Sequence, residues 1–399
     1  MTKKDFTQEY FRFNEQDAID YAIDVLDFFD DSTSLACVEI GDGNLNYIFK
    51  VYDQVSGKSV IIKQAGPIAR ISADIKLSPD RNRIESEILK MQYELTGGGV
   101  PEVYNYDSNM NCTAMEDLSD HVILRTGLLE YQIYPALAKQ LAKFMVETLL
   151  PTSDVVMPHK EKKEAVKNFI NPELCEISED LVFTEPYYDC ERNDMLAPTR
   201  DYVQQSIWND AELKLAVAKL KFNFMTNTES LIHGDLHSGS IFAKSDSTKV
   251  IDPEFAFYGP AGYDVGNVLA HFILSSLNAK YTEEAPKEFS EWIDVTLGET
   301  LDSFIELYEQ EWDDLVTDEM AKVKGFKEVY LANLLRDTAS FAGTEIIRRI
   351  VGLAHVVDIT SLPEEQRLLA EKEALEIGKK LIKESQNFTS GQDYRALFN

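Results

Sequence analysis

The sequence predicts an α+β, bilobal protein: a small N-terminal lobe built on an antiparallel sheet with a helix, and a large, mainly helical C-terminal lobe. Three observations carry this reading. The chain has 399 residues, too many for one ordinary core and suited to two. Its hydrophobic period changes near residue 117, from short strand-like runs to long amphipathic helices. Before that point, after one leading helix, the elements follow the order β-β-β-α-β-β. The lobes are therefore placed at 1–116 and 117–399.

Residues 15–30 have helical spacing, with Ala18, Tyr21, Ala22, Val25, Leu26 and Phe29 recurring on one side. Ser34 to Val51 and Ser59 to Gln64 hold β-branched and aromatic runs separated by Gly, Asn and Asp, the pattern of antiparallel strands. Arg81 to Glu94 returns to helix, with Ile84, Ile88, Met91 and Leu95 on one face. The Gly97-Gly98-Gly99-Val100-Pro101 run stops it, and Val103–Tyr106 and Cys112–Met115 resume strand character. Beyond residue 117 helices predominate, interrupted by strands flanking Asp235 and Asp252 and by the aromatic, Pro-containing stretch Phe183 to Arg200. Glu364 to Lys383 reads as a charged C-terminal helix of mixed sign, with a solvated face.

Composition narrows the function. Apolar content of 44% suits a packed globular protein. The formal charge of −30 excludes a nucleic-acid partner, because phosphate backbones demand clustered Lys and Arg. We read the charge as serving solubility more than as a sign of a cationic ligand. Cys37, Cys112, Cys175 and Cys190 are scattered without zinc-ligand spacing, and free thiols fit a reducing compartment. The start Met1-Thr2-Lys3-Lys4-Asp5-Phe6 lacks the apolar run of a signal peptide. The apolar stretch Val265 to Leu274 is short and interrupted by Gly266, Asn267 and His271, so no membrane span is expected. A cytoplasmic protein is the expectation.

The strongest signal is His233-Gly234-Asp235-Leu236-His237, followed by Asp252-Pro253-Glu254. Such a pair of motifs reads as a catalytic loop and a metal-binding turn. Asp235 would orient or deprotonate an attacking hydroxyl, and His233 would support the loop backbone. Where related enzymes place a magnesium-binding Asn five residues after that Asp, this chain has Ser240. The turn compensates: Asp252 and Glu254 offer Mg²⁺ two carboxylates, with phosphates and waters completing its coordination. Asp264 matches the position where an Asp braces the loop backbone. Ser238 has no evident role.

Upstream, Ile40 to Val51 forms a Gly-containing hairpin whose amides can approach phosphates, with Asn46 as an added side-chain donor. Lys63 ends the apolar run Val60-Ile61-Ile62 on the next strand, where a lysine would pair the phosphates of ATP. Its acidic partner is Glu85 or Glu87; apolar phase favours Glu87 and spacing favours Glu85. Met115-Glu116-Asp117 ends a strand where a hinge would present backbone groups to adenine.

On these residues the chain resembles the bacterial 5-methylthioribose kinase family, of protein-kinase-like, aminoglycoside-phosphotransferase-like fold. The HGDLHSGSIF loop, the segment from Asp252 to Phe272 and the late GTEIIRRIVGLAHV segment carry the resemblance, which spans Gly41 to about Asp358. It implies ATP-dependent phosphorylation of the anomeric (C1) hydroxyl of 5-methylthioribose in methionine salvage, by a homodimer. It also implies a nucleotide site that includes Asp252, Pro253 and Glu254, and a substrate site of Asp235, Arg348 and Arg349. On their own, the two adjacent arginines leave a helix about 100° apart and read as one surface and one salt-bridged residue. Trp208, Phe183, Tyr187 and Tyr188 either line the methylthio end or pack helices. Two other readings stand beside this one: an aminoglycoside or choline kinase, and a kinase-fold binding protein without catalysis.

Overall fold

The structure is a computed structural model and describes residues 4–41, 46–66, 78 and 80–398. The chain divides into two compact units, one of residues 1–120 with 249–254, the other of residues 121–248 with 255–399.

The smaller unit holds helix α1 (Glu15–Asp24), strands β1 (Leu35–Ile40), β2 (Asn46–Asp53) and β3 (Ser59–Ala65), helix α2 (Asp80–Thr96), and strands β4 (Val103–Asp107) and β5 (Cys112–Met115). The strands form one antiparallel sheet in the order β1-β2-β3-β5-β4. Asn14 caps α1 through a reciprocal pair of bonds with Asp17, which satisfies otherwise orphaned helix-end amides.

Strand alternation explains how β3 serves two purposes. Val60 and Ile62 face an aromatic core with Phe13, Tyr21 and Phe49. Gln64 shares that face fully buried, bonded to Phe11 O, Met110 O and Phe13 N. Lys63 therefore points from the opposite face, in register with Ile48 on β2 and Thr113 on β5.

In the larger unit, Ser230–Ile232 pairs antiparallel with Phe257–Gly259, and the catalytic-loop sequence leaves the first of these strands. The Gly262–Tyr281 helix is buried on nearly every side, as a helix at the centre of a bundle must be. It packs against the Phe326–Val351 helix, which in turn packs against the Glu364–Lys383 helix. That last helix has the expected solvated side, with Lys372, Glu376 and Lys380 exposed, and a second side that is buried. Ala370, Ala374, Leu375, Ile377, Leu381 and Ile382 form a buried face. Gly343 and Gly378 make the close approach possible, since a Cβ on Gly343 would lie 2.5 Å from the Gly378 carbonyl oxygen.

Candidate active site

The Lys63 cluster lies in the smaller unit. The buried ammonium donates to Glu85 Oε1 at 2.8 Å and to Asp252 Oδ1. Glu85 is thus the partner on α2, whereas Glu87 is exposed and binds Arg83 at 2.9 Å. Burial opposes the charge of Lys63, but Asp252, Glu85 and Glu254 hold its pKa above the usual lysine range. Burial raises the carboxyl of Glu85 against the pull of Lys63. It raises Glu254 too, with Asp252 adding repulsion and Lys63 and Arg81 opposing it.

Asp252 has φ +68°, a left-handed conformation uncommon outside glycine and sustained only where surrounding structure enforces it. Pro253 opens the 3₁₀ turn that carries Glu254. Asn46 is buried and bridges this turn: its Nδ2 donates to Glu254 Oε2 at 3.0 Å and its Oδ1 accepts from Arg81 at 3.0 Å. The glycine-containing tip of the hairpin, residues 42–45, lies outside the described residues. At the strand end after Met115, Glu116 N donates to Glu102 O at 2.9 Å and its carboxylate accepts from Lys249 at 2.6 Å. Asp117 accepts from Ser59 at 2.7 Å and pairs with Lys50 at 2.7 Å.

These donors suit a hard divalent cation. Asp252 and Glu254 offer carboxylate oxygens from one turn, and the carboxylates of Glu85, Asp252 and Glu254 outnumber Lys63 and Arg81. Among the described residues no group of three His, Cys, Asp or Glu is arranged to hold a metal by itself. A cation at Asp252 and Glu254 would need other oxygens, which is what nucleotide phosphates supply.

The Asp235 cluster lies in the larger unit. Asp264, at the start of the Gly262–Tyr281 helix, accepts the amides of His233 at 2.6 Å and Gly234 at 3.0 Å, fixing the loop backbone. Gly234 has φ +82°, and a Cβ there would sit 2.4 Å from the Phe255 carbonyl oxygen, so only glycine fits. Ser240 donates its hydroxyl to Asp235 O at 3.1 Å.

His237 Nδ1 accepts from Gly239 N at 2.9 Å, which leaves the proton on Nε2, 3.3 Å from Asp235 Oδ2. Arg125 also reaches Nδ1, at 3.2 Å. Arg348 lies 3.4 Å from Asp235 Oδ1 and Arg349 3.9 Å from it. Burial opposes ionisation of Asp235, yet His237, Arg348 and Arg349 hold its pKa far below the carboxylate range. Burial pushes His237 down against the pull of Asp235, consistent with a neutral imidazole. The arginines therefore supply the lasting positive charge beside Asp235.

Both arginines are buried, which overturns the expectation that one lies at the surface. The reason is Glu345, three and four residues earlier on the same helix. Its buried carboxylate accepts from Arg348 Nε, and from Arg349 Nε at 2.7 Å. One acid thereby gathers two side chains whose helical directions diverge.

Against this geometry the comparisons with known proteins are consistent. The phosphotransferase enzyme family model, APH, matches residues 40–291. Curated relatives named methylthioribose kinase include those of Geobacillus sp. (strain WCH70), 42% identical over 96% of this chain and 94% of that protein, and Geobacillus kaustophilus, 43% identical over 94% and 93%. A third, from Bacillus pumilus, is 40% identical over 98% of both.

This chain belongs to the methylthioribose kinase family.

It is accordingly a small-molecule kinase of the phosphotransferase type. Within that framework the structure brings Lys63, Asp252, Glu254 and Asn46 together in one cluster, and Asp235, Arg348 and Arg349 in the other. Sequence reasoning missed Glu345, Arg81, Arg125 and His271. A signal existed for the first: a Glu three and four residues before paired arginines invites helical ion pairs. Ser238, without a role in the sequence, bonds His271 Nδ1 at 3.0 Å. Of the aromatics, Phe183 packs against Phe224, Tyr263 and Phe341, Tyr187 is buried, and Trp208 donates to Pro186 O at 3.0 Å. Tyr188 is exposed beneath Lys214.

Proposed function

We propose that this protein transfers the γ-phosphoryl group of ATP to the anomeric C1 hydroxyl of 5-methylthioribose, giving 5-methylthioribose 1-phosphate and ADP in methionine salvage. The observation that carries the proposal is the arginine pair held against Asp235. A neutral polyol can hydrogen-bond both guanidinia and the carboxylate, whereas a choline or aminoglycoside cation would meet two buried positive charges. Relatives named methylthioribose kinase, alike over nearly the whole chain, support the sugar.

Asp235 Oδ accepts the hydroxyl proton as the C1 oxygen attacks phosphorus and the bond to the β,γ-bridging oxygen breaks. With so low a pKa, Asp235 is a weak base. It serves first to orient the hydroxyl and takes the proton late, as suits a loose phosphoryl-transfer transition state. Arg348 and Arg349 hydrogen-bond the sugar and offset charge on the transferring group. Lys63, fixed by Glu85, pairs the nucleotide phosphates, and the segment Met115–Asp117 borders adenine. Asp252 and Glu254 would hold Mg²⁺, which when bound neutralises phosphate charge. Asn46 orients Glu254. The proposed enzyme acts in the cytoplasm as a homodimer, a reading that rests on the family resemblance alone.

Phosphorus NMR of the product tests the assignment. The expected result is an acid-labile phosphomonoester coupled to the anomeric proton. Phosphate on another hydroxyl, or none on the sugar, contradicts it.

A further inference from the structure

One buried chain of interactions in the larger unit lies behind the residues of the chemistry just described, and its first members, Ser238, His271 and Glu345, have no part in that scheme. It begins on the catalytic loop at Ser238, which is 1% exposed. The Ser238 hydroxyl lies 3.0 Å from His271 Nδ1, and His271 Nε2 lies 3.2 Å from Glu345 Oε1. Burial pushes His271 down to about 3, so its ring is neutral, with one donor and one acceptor nitrogen. A carboxylate can only accept, so the proton sits on Nε2, and Nδ1 accepts from Ser238. Glu345 then takes Arg348 Nε on one oxygen, and Arg349 Nε and Arg348 Nη2 on the other. Both guanidinia continue to Asp235 Oδ1.

The chain thus starts and ends on the loop His233–Ser240, passing through two different helices. Without Glu345, each arginine would follow its own helical direction. With it, their Nε atoms are fixed and their outer nitrogens share one target. We infer that Glu345 is a positioning residue that aligns the arginine pair for the acceptor, and that Ser238 and His271 hold it in register with the catalytic loop. The inference rests on the proposed kinase reaction. Glu345 touches neither substrate nor nucleotide in this scheme; it acts through the arginines.

A merely structural acid would neutralise the arginines without tuning catalysis, and a double-substitution cycle separates the two roles. Glu345→Gln, Arg348→Lys and the double variant are compared for kcat and for KM toward methylthioribose and MgATP. We expect Glu345→Gln to lower kcat by about 100-fold, with KM for MgATP within about twofold of the parent. The double variant should lie within about threefold of the worse single one, because the two residues act as a unit. Losses that multiply, or a loss equal to the fraction of unfolded protein, would overturn the inference. If Glu345→Gln does not fold, Ser238→Ala cuts the far end of the chain and should lower kcat about tenfold. An unchanged kcat there would overturn it equally. A parent protein inactive on methylthioribose sinks the functional reading itself, an outcome plainly distinct from an active parent with multiplying losses.

Discussion

The two clusters are made from the same ingredients and balanced in opposite directions. Around Lys63, the carboxylates of Glu85, Asp252 and Glu254 share Lys63 and Arg81, and burial raises Glu85 and Glu254 above their ordinary range. Around Asp235, the arginines at 125, 348 and 349 keep company with Asp235 and Glu345, both held far below that range despite burial. The first arrangement is short of positive charge, which a divalent cation can provide. The second is already compensated and keeps its carboxylates ionised unaided. On the proposed reading, the same side-chain chemistry would prepare one site for a metal-bound phosphate and the other for a neutral hydroxyl.

The largest effect expected is at the compensated cluster. Asp235→Asn removes the proton acceptor and should lower kcat by about a thousandfold or more, measured by ADP release at saturating substrates. Since Asp235 is ionised wherever the fold holds, kcat/KM of the parent should show no break from this group between pH 5 and pH 8. A break there that disappears in Asp235→Asn would contradict the electrostatic account.

Next comes the partner of Lys63. Glu85→Gln should lower kcat about 100-fold by freeing the lysine from its position. Glu87→Gln, which breaks only a surface helical pair, should change stability by less than about 0.5 kcal/mol and leave kcat alone. Comparing the two by steady-state kinetics and thermal melts isolates the buried carboxylate.

Glu254→Gln sharpens the contrast in metal demand. It should raise the Mg²⁺ concentration for half-maximal rate by about 10–100-fold, while Arg348→Gln, whatever its rate, should leave that concentration unchanged. A magnesium response shifted equally by both would mean the clusters are not poised differently.

The smallest effect is a pH dependence of stability. The folded pKa of His271 is depressed from 6.5 to about 3 by burial, so the unfolded chain binds more protons between those values. Stability is therefore full above pH 6.5 and declines on acidification, by about 2 kcal/mol between pH 6.5 and pH 5 from this group. Urea melts at both pH values should show a shallower decline in His271→Gln. An identical slope would mean that His271 is not buried in its neutral form.

Much of this was readable from the sequence, for identifiable reasons. The strands of the small unit, Lys63, Asp235, Asp252 and Asp264 follow from local pattern and motif spacing. The choice of Glu85 over Glu87 did not, because the buried face of α2 is largely polar, with Asn82, Glu85, Ser86 and Gln92 on it. Apolar phase therefore pointed the wrong way. The arginine pair was reached only through the family resemblance, since helical geometry alone separates residues 348 and 349 and Glu345 reunites them. Ser238 waits on His271, 33 residues later, and such a pairing exists only once the chain has folded. The burial of the Glu364–Lys383 helix turned on Gly343 and Gly378, whose proximity no local pattern records.

The most direct measurement is ADP release from Mg-ATP with 5-methylthioribose, ribose, choline and kanamycin as acceptors, run beside Asp235→Asn. The account predicts turnover with methylthioribose, little with ribose, none with either amine, and loss of turnover in the variant. Turnover with choline or kanamycin would contradict the arginine argument, and no nucleotide consumption with any acceptor would contradict the kinase itself.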